Sequence, residues 1–204
     1  MKITEKYAAK KEAILEKGME VMWFNGYNGT SVKDIVSAAG IPKGSFYFYF
    51  DSKEEFAIEA LKYYLEFTEK LSEPIMEDPT LGPMEKLRKL FKVRVDAAFN
   101  MFECNCGEFQ GGCFMSNLGQ EMSDTNERIR EAVNYAIEEF KGPIVKLLME
   151  AQMAGEAKQD LDPNKFMNFL ESTMQGAMMT VKASRDPQPL HDAEHFLFDV
   201  ILKP

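Results

Sequence analysis

The sequence predicts an all-α protein with a small N-terminal helix-turn-helix head and a larger helical body. Apolar residues recur at helical spacing through most of the 204 residues, and no segment shows the alternation of apolar and polar residues that is typical of a strand. Glycine and proline residues divide this pattern into successive segments of helical length. The segment from residue 30 to residue 55, TSVKDIVSAAGIPKGSFYFYFDSKEE, carries the clearest signals: two short helices joined by a tight turn, then the start of a third.

A first helix is predicted over residues 5–24, and a second begins just after Ser31. Ser31 and Asp34 have the spacing of a capping box, in which each side chain binds the other residue's backbone N–H. Gly40 suits the C-terminal cap, because glycine adopts positive φ without steric cost, and Pro42 prevents the helix from continuing. The second helix is therefore expected to be short.

Five consecutive aromatic residues, 46–50, follow this turn. Aromatic residues favour strands, but a strand without polar residues needs burial on both faces, and no second strand candidate lies nearby. A helix instead directs Phe46 and Phe50, four residues apart, toward the core. The segment is therefore predicted to be a third helix, and Ser52 and Glu55 to form a second capping box that begins a fourth. A helix, a short turn and a second helix is the arrangement that enters a DNA major groove.

The segment GIPKGSFYFYFDSKEEF resembles the signature of the TetR family, in which a short recognition helix carries the pattern G-x-x-x-G-x-(apolar)-Y-x-H-F-x-S-K. The matching residues are Gly40, Gly44, Phe46, Tyr47, Phe50, Ser52 and Lys53. Tyr49 stands where histidine is commonest, and Val36 stands where a small alanine usually lies. The resemblance covers about residues 8–65. It implies a transcriptional repressor of about nine helices that binds palindromic DNA as a homodimer, with the last two helices forming a four-helix bundle across a two-fold axis.

The net charge of −9 opposes nucleic-acid binding, but the charge is unevenly distributed. Residues 1–53 carry eight lysines and six acidic residues, whereas the remaining 151 residues carry 16 basic and 27 acidic ones. A mildly basic head on an acidic body can bind phosphates locally, while the body repels the duplex and fixes which end approaches it. The charge pattern is therefore compatible with a DNA-binding head.

The composition also indicates a cellular location. No apolar run approaches the roughly 18 residues of a membrane span, and no charged-then-apolar leader is evident. Three cysteines, an odd number, argue for a reducing environment and against a disulfide framework. The expected location is therefore the cytoplasm, with no membrane partner.

The chain is predicted to divide into three parts. Residues 1–51 form the helix-turn-helix DNA-binding domain, 52–72 a connecting helix, and 73–204 a regulatory ligand-sensing and dimerisation domain. The cluster of Pro74, Pro79 and Pro83 indicates a loop after the connecting helix. Further helices are predicted over 83–102, 113–123, 126–154, 163–184 and 189–202.

The last two predicted helices carry broad apolar faces. The residues assigned to a dimer interface are Phe166, Leu170, Met174, Ala177, Val181, Phe196 and Val200, with Phe169, Met178, Leu197 and Ile201 on the same faces. The ordinary core of a monomer is the alternative explanation. A two-fold dimer is favoured because it presents two recognition helices to half-sites with centres about 34–36 Å apart.

The resemblance and the helix geometry together select residues for DNA contact. Lys43 and Ser45 are expected to reach base edges, and Gly44 lets the backbone approach closely. Phe48 is expected to touch a thymine methyl group. The candidate phosphate contacts are Tyr47, Tyr49 and Lys53, together with Thr30 or Ser31 at a helix N-terminus.

Cys113 is the main candidate for a regulatory residue. It follows two glycines and begins the predicted helix GGCFMSNLGQEM, where free backbone amides favour a thiolate. This motif resembles the branch of TetR-family repressors typified by the N-ethylmaleimide reductase repressor, which responds to reactive electrophiles through a cysteine at the matching position. Lys182 is the second residue of interest, because a nearby ammonium further stabilises a thiolate. The alternative is that Cys113 is a buried, small hydrophobic residue.

Other residues of the body suggest weaker alternatives. Cys104 and Cys106 could resolve an oxidised Cys113, or join it and two histidines, His191 and His195, in a zinc site. Their spacing matches no familiar zinc module, so no metal or cofactor is predicted. The 14 methionines, with Met149, Met153, Met167, Met174, Met178 and Met179 in the body, suggest a cavity that adapts to an apolar inducer, although core packing explains them equally well.

A thiol-dependent enzyme that uses Cys113 is the alternative function. A cysteine nucleophile needs a histidine base within hydrogen-bond reach, and the only histidines, His191 and His195, lie near the C-terminus. Catalysis also leaves the segment of residues 30–55 unexplained. The sequence therefore predicts a regulator and not an enzyme.

Overall fold

The computed structural model describes residues 3–100 and 112–204. Nine α-helices and a final π-helical turn contain most of these residues, with no strand among them, which confirms the all-α prediction. The helices are α1 (Ile3–Asn25), α2 (Val32–Ala38), α3 (Lys43–Tyr49), α4 (Lys53–Glu77), α5 (Pro83–Asn100), α6 (Phe114–Met122), α7 (Glu127–Met153), α8 (Pro163–Ser184) and α9 (Gln188–His195), and the π-helical turn is Phe196–Ile201. None of the described helices is long and apolar enough to cross a membrane.

The chain packs as two compact units. The first, called the head unit, contains residues 1–66 and 114–136, and the second, called the body unit, contains residues 67–113 and 137–204. The helices α4 and α7 each contribute one part to the head unit and one part to the body unit. The division at residues 51 and 72 stays a prediction, and the packing adds α6 and the first turns of α7 to the head.

Aromatic side chains form the centre of the head unit. Phe46 and Phe50 of the recognition segment are buried, as the helical interpretation predicted. Their rings lie 5.9 and 5.1 Å from the ring of Phe56 on α4, centroid to centroid. Ile35 and Val36 of α2 are buried with them. The first four aromatic residues therefore lie in α3, and Phe50 follows as its C-cap residue with extended backbone; the rings of Phe46 and Phe50 complete this core.

The helix ends follow the predicted chemistry with one difference. Ser31 and Asp34 form both hydrogen bonds of a capping box, and the Ser31 hydroxyl holds the pKa of the Asp34 carboxyl below its usual range. Gly40 has φ +61°, the left-handed conformation expected of a C-terminal cap. Ser52 accepts from the Glu55 amide at 3.1 Å, but the Glu55 carboxylate accepts from the amide of Asp51 at 2.8 Å. In the second capping box, the Glu55 carboxylate therefore binds the amide of Asp51, one residue before the predicted partner, Ser52.

Two predicted helix boundaries are wrong. The connecting helix predicted over residues 52–72 does not end there but continues to Glu77 and contains Pro74. Pro74 has no backbone N–H, so one helical hydrogen bond is missing, and this occurs in the last turns of a helix of 25 residues. The last helix is not regular through residue 202, because the Leu202 amide donates to the Leu197 carbonyl, five residues back.

Candidate DNA-binding surface and effector residues

The helix α3 presents four residues on its outer side. Lys43 and Gly44 are exposed, and the side chains of Tyr47 and Phe48 are 55% and 69% exposed. A Cβ atom added to Gly44 has no neighbouring atom within 4 Å, so nothing in the chain covers this side of the helix. Ser45 is half-buried. The structure therefore brings most of the predicted base-contacting residues onto one exposed surface.

A tyrosine of α1 extends this surface, and the sequence did not identify it. The ring of Tyr7 stacks on the ring of Tyr49 at 5.0 Å and meets the ring of Phe48 edge-on at 5.6 Å. Tyr49, predicted to contact phosphate, is consequently half-buried. No local pattern relates residue 7 to residues 48 and 49, because the crossing of two helices distant in sequence creates the contact.

The two hydroxyls predicted to bind phosphate at the start of α2 are used within the chain. Thr30 is buried, and its Oγ1 donates to the carbonyl of Gly26 at 2.7 Å, which corrects its assignment as a phosphate contact. Ser31 is exposed, but its hydroxyl donates to Asp34 at 2.6 Å. Both side chains therefore shape the segment between α1 and α2, residues 26–31, called here the α1–α2 turn.

Lys53 also binds the α1–α2 turn. Its Nζ donates to the carbonyls of Tyr27 and Thr30 at 2.9 and 3.0 Å, and lies 4.1 Å from the centroid of the Tyr27 ring. An ammonium has three donors, so one remains for the predicted phosphate contact. The main role of Lys53 in the structure is to hold the turn that precedes α2.

A carboxylate from α6 binds backbone amides of the same turn, whereas Lys53 binds its carbonyls. Glu121 accepts hydrogen bonds from the backbone amides of Tyr27 and Asn28 at 2.6 and 2.7 Å. Burial raises the pKa of the Tyr27 phenol, and the nearby carboxylates of Glu54 and Glu121 raise it further. Sequence reasoning missed Glu121, because 94 residues separate it from Tyr27 and an isolated glutamate on a helix gives no signal.

Cys113 immediately precedes α6 and is 5% exposed, so its thiol is largely shielded from solvent. Nine residues of helix separate it from Ser123, and the first of these, Phe114, packs in the head unit against Trp23 and Tyr64 with ring centroids 5.7 and 6.0 Å apart. Lys182 lies exposed on α8. The burial fits the alternative of a small hydrophobic residue, and a reaction at this thiol requires local opening.

The predicted resolving thiols and zinc ligands are only partly visible. Cys104 and Cys106 lie outside the described residues. His191 is exposed, and His195 is exposed beside Asp199, with 3.3 Å between Nδ1 and the carboxylate. Among the residues that the structure describes, no group of three or more histidine, cysteine or acidic side chains is placed to hold a metal ion.

The predicted ligand residues Met174 and Met178 are buried in the body unit, on the inner side of α8. A polar cluster lies on the same helix. Arg94 Nη2 of α5 donates to Glu171 at 3.2 Å, and the Arg94 guanidinium lies 3.9 Å from the ring centroid of Phe140 on α7. Burial raises the pKa of the Glu171 carboxyl, but the charge of Arg94 and a hydrogen bond from Gln175 outweigh it, so the pKa is lowered.

A groove of about 320 Å³ opens on the head unit between α4 and α7. Its lining residues are Ile58, Leu61, Lys62, Leu65, Arg128, Glu131, Ala132 and Tyr135. Arg128 at its edge is already ion-paired with Glu54. The size suits a small molecule, but the groove is open, and only four of its eight lining residues are aliphatic.

The proposed dimer residues separate into two sets. Five of them are buried within the single chain and form its own core: Phe166, Leu170, Met174, Ala177 and Val181. A side chain already buried in the subunit has little surface left for a partner, so the monomer-core alternative applies to these five. Phe196 and Val200 are 57% and 53% exposed, and Phe169 and Met179 of α8 are exposed as well. The apolar surface that could meet a partner is therefore this second set.

A short exposed helix anchored by buried aromatic residues, preceded by a capped helix and a tight turn, defines a helix-turn-helix DNA-binding protein. Residues 14–60 match the family described as bacterial regulatory proteins, tetR family, and residues 83–197 match the tetracyclin repressor-like C-terminal domain. The chain belongs to the TetR family of transcriptional regulators, which confirms the family prediction and the prediction that it is not an enzyme.

Individual relatives share most of the chain. The HTH-type transcriptional repressor DhaR of Mycobacterium sp. (strain GP1) is 29% identical over 192 residues, covering 94% of this chain and 92% of DhaR. The HTH-type transcriptional repressor NemR of Escherichia coli (strain K12) is 26% identical over 201 residues, covering 95% and 94%. The crystal structure of a regulatory protein TetR from Rhodobacter sphaeroides is 28% identical, with a TM-score of 0.82 over 92% of this chain and 96% of that one.

Proposed function

We propose that this protein is a transcriptional repressor that binds a palindromic operator as a homodimer and releases it when its body is chemically modified or occupied by a small molecule. The exposed surface of α3 is the observation that carries the proposal. Its lysine, tyrosine and phenylalanine side chains are uncovered, while the buried rings of Phe46 and Phe50 anchor the segment to the core. The names of DhaR and NemR, both transcriptional repressors, support repression as the direction of control.

In this proposal each exposed residue of α3 has a separate role. Lys43 donates to base edges, Phe48 contacts a thymine methyl group, and the Tyr47 hydroxyl donates to a phosphate. Gly44 allows the backbone to approach the duplex, which the open space around its Cα position supports. Tyr7, through its stacking with Tyr49, fixes the far end of this surface.

Replacing Lys43 with alanine is expected to lower operator affinity by about 1–3 kcal/mol and to reduce the preference for the operator over random DNA, because a base contact is lost. Gel-shift titration of the full-length protein on its own upstream DNA and on a random duplex measures both quantities. The control is Lys158→Ala, which removes an exposed charge of the body unit and is expected to change neither. Equal losses of affinity on both duplexes would mean that Lys43 contacts only phosphate and no base.

The exposed apolar residues near the C-terminus support the pairing of two chains. Phe196 and Val200 lie one turn apart on the π-helical turn, and Phe169 and Met179 add exposed apolar area on α8. Solvent contact with four such side chains is unfavourable, and a two-fold interface removes it while providing two recognition helices for a palindrome. The stoichiometry of the complex in the same titration, expected to be two chains per duplex, tests this pairing.

Cys113 is proposed as the point of modification. Its thiolate adds to the alkene of an electrophile such as N-ethylmaleimide, forming a carbon–sulfur bond while the neighbouring carbon takes a proton. The adduct is far larger than the buried space that the thiol occupies, so α6 must shift to accommodate it. Because Glu121 at the other end of α6 binds the α1–α2 turn, this shift reaches α2 and α3.

N-Ethylmaleimide is expected to release the wild-type protein from its upstream DNA, whereas Cys113→Ser stays bound. The control is Cys104→Ser/Cys106→Ser, which removes the other two of the three cysteines and is expected to respond as the wild type does. Intact-mass measurement counts the adducts in each sample. Release of Cys113→Ser would assign the response to another cysteine. If the proteins whose Cys113 is modified stay bound to the DNA, modification is not the signal, and reversible ligand binding takes its place in the proposal.

A further inference from the structure

Three aromatic rings of the head unit contact one another at the outer side of the recognition helix. The ring of Phe48 meets the rings of Tyr7 and Tyr49 edge-on, with centroids 5.6 and 5.2 Å apart and interplanar angles of 73° and 89°. The rings of Tyr7 and Tyr49 stack on each other at 5.0 Å with an interplanar angle of 29°. Each ring of this group, called here the aromatic triad, therefore contacts both of the others.

The triad restricts the direction of the Phe48 side chain. A phenylalanine on the surface of a helix has more than one staggered rotamer, and contact with two neighbouring rings favours one of them. Edge-on and offset-stacked arrangements are the favourable geometries for aromatic pairs. The Phe48 side chain is nevertheless 69% exposed. The triad therefore holds this ring in one position without covering it.

The family signature specifies none of the three rings. Phe48 falls on an unspecified position of the pattern, Tyr49 stands where histidine is commonest, and Tyr7 precedes the matched residues 14–60. The helix α1 is nevertheless fixed near Tyr7, because Lys11, one turn further along, forms an ion pair with Glu59 of α4 at 2.6 Å. The triad is therefore an arrangement beyond the signature, and α1 is held in place to supply one of its rings.

An exposed hydrocarbon ring on a DNA-binding helix requires an apolar partner. Lys43 and Tyr47 on the same side of α3 carry polar ends, whereas Phe48 has no hydrogen-bonding group. The apolar group that base edges present in the major groove is the C5 methyl group of thymine. Cytosine methylated at C5 presents the same group. Because Phe48 neither donates nor accepts a hydrogen bond, its ring responds to the methyl group and not to the polar edge of the base.

We propose that Tyr7 is a positioning residue that makes Phe48 a reader of 5-methylpyrimidines, which are thymine and 5-methylcytosine. This inference rests on the proposed function, because it names the chemical group that one residue of α3 recognises on the operator. Tyr7 acts through its ring on Phe48 and not through its hydroxyl. The competing partner of Phe48 is a deoxyribose of the DNA backbone, which is the same at every nucleotide and carries no sequence information.

The test compares thymine with uracil, which lacks only the C5 methyl group. Uracil replaces each thymine in turn in a duplex of the bound upstream segment, and gel-shift titration measures the affinity of the full-length protein. At least one replacement is expected to lower the affinity by about fourfold, the effect of burying one methyl-sized group. Phe48→Ala is expected to abolish the difference there. With a cytosine–guanine pair at that position, methylation of the cytosine at C5 is expected to raise the affinity by a similar factor.

Two variants of Tyr7 separate the role of its ring from that of its hydroxyl. Tyr7→Phe keeps the ring and is expected to retain the ratio of the affinities for thymine and uracil. Tyr7→Ala is expected to bring this ratio close to one, because Phe48 is no longer held. A general loss of affinity or of folded protein affects both duplexes alike and leaves the ratio unchanged. The control is Tyr135→Ala, which removes an exposed ring of α7 in the same unit and is expected to retain the ratio.

The outcomes separate this inference from the proposed function. Equal affinities for thymine and uracil at every position overturn the inference and assign Phe48 to the DNA backbone. A ratio that persists in Tyr7→Ala overturns the positioning role, and cytosine methylation without effect overturns recognition of 5-methylpyrimidines as a class. These three results leave the repressor proposal standing, because each is measured on DNA that the protein binds. Failure to bind any upstream DNA overturns the repressor proposal and the inference with it.

Discussion

Replacing Glu121 with alanine is expected to weaken binding to the upstream DNA by about tenfold or more, because two charge-assisted hydrogen bonds to the α1–α2 turn are lost. The amides of Tyr27 and Asn28 would then bind water, and the segment that leads into α2 would no longer be held in one position. The recognition helix follows α2 directly, so its orientation spreads over several arrangements. Gel-shift titration measures the loss.

The control for this prediction is Glu131→Ala, which removes an exposed carboxylate of the same unit. Removing a negative charge from an acidic protein reduces its repulsion from DNA, so this variant is expected to bind equally or slightly more tightly. The two variants change the net charge identically, but only Glu121→Ala is expected to lose affinity. A loss of similar size in both would attribute the Glu121 effect to general electrostatics.

Replacing Gly18 with alanine is expected to destabilise the protein by about 1–3 kcal/mol, even though alanine is the better helix former. A Cβ at this position of α1 would lie 2.6 Å from Phe56 Cζ and 2.7 Å from Ile35 Cγ2. Both neighbours are fully buried, so neither can move into solvent. Urea unfolding of the full-length protein measures the change in the free energy of unfolding.

A double-mutant cycle with Phe56→Leu isolates the steric cause. Leucine lacks the ring atoms Cζ and Cε2 that lie 2.6 and 3.1 Å from the added methyl group. The double variant is therefore expected to be more stable than the sum of the two single losses implies. Additive losses would mean that the crowding is relieved elsewhere, and a stabilised Gly18→Ala would mean that helix propensity outweighs it.

The sequence predicted the features that depend on neighbouring residues. The capping box of Ser31 and Asp34 spans three residues, and the burial of Phe46 and Phe50 follows from their spacing on one helix face. The family signature covers the same segment. Each of these signals is local; the structure confirms the capping box and the two buried rings, and the family match confirms the signature.

The sequence could not predict contacts that the crossing of distant helices creates. Glu121 binds the turn at residues 27 and 28, and Arg94 pairs with Glu171 across 77 positions. Lys53 was assigned to phosphate because its position matches the family pattern, while its two carbonyl partners lie 23 and 26 residues away. A charged residue on a helix looks alike in sequence whether it faces solvent, DNA or another backbone segment.

The α1–α2 turn is bound chiefly through its main chain, to which the Tyr27 ring beside Lys53 Nζ and the Asn28 amide, 3.7 Å from Met122 Sδ, add side-chain contacts. Lys53 takes two of its carbonyl oxygens, and Glu121 takes two of its amides. Every amino acid except proline offers the same two groups, so most substitutions at position 28 leave these four main-chain contacts intact. Gly29 is different, because a Cβ there would lie 2.1 Å from the Asn25 carbonyl oxygen. During evolution, therefore, such a turn can change much of its surface chemistry while keeping its attachment, provided that the acid, the base and the glycine persist.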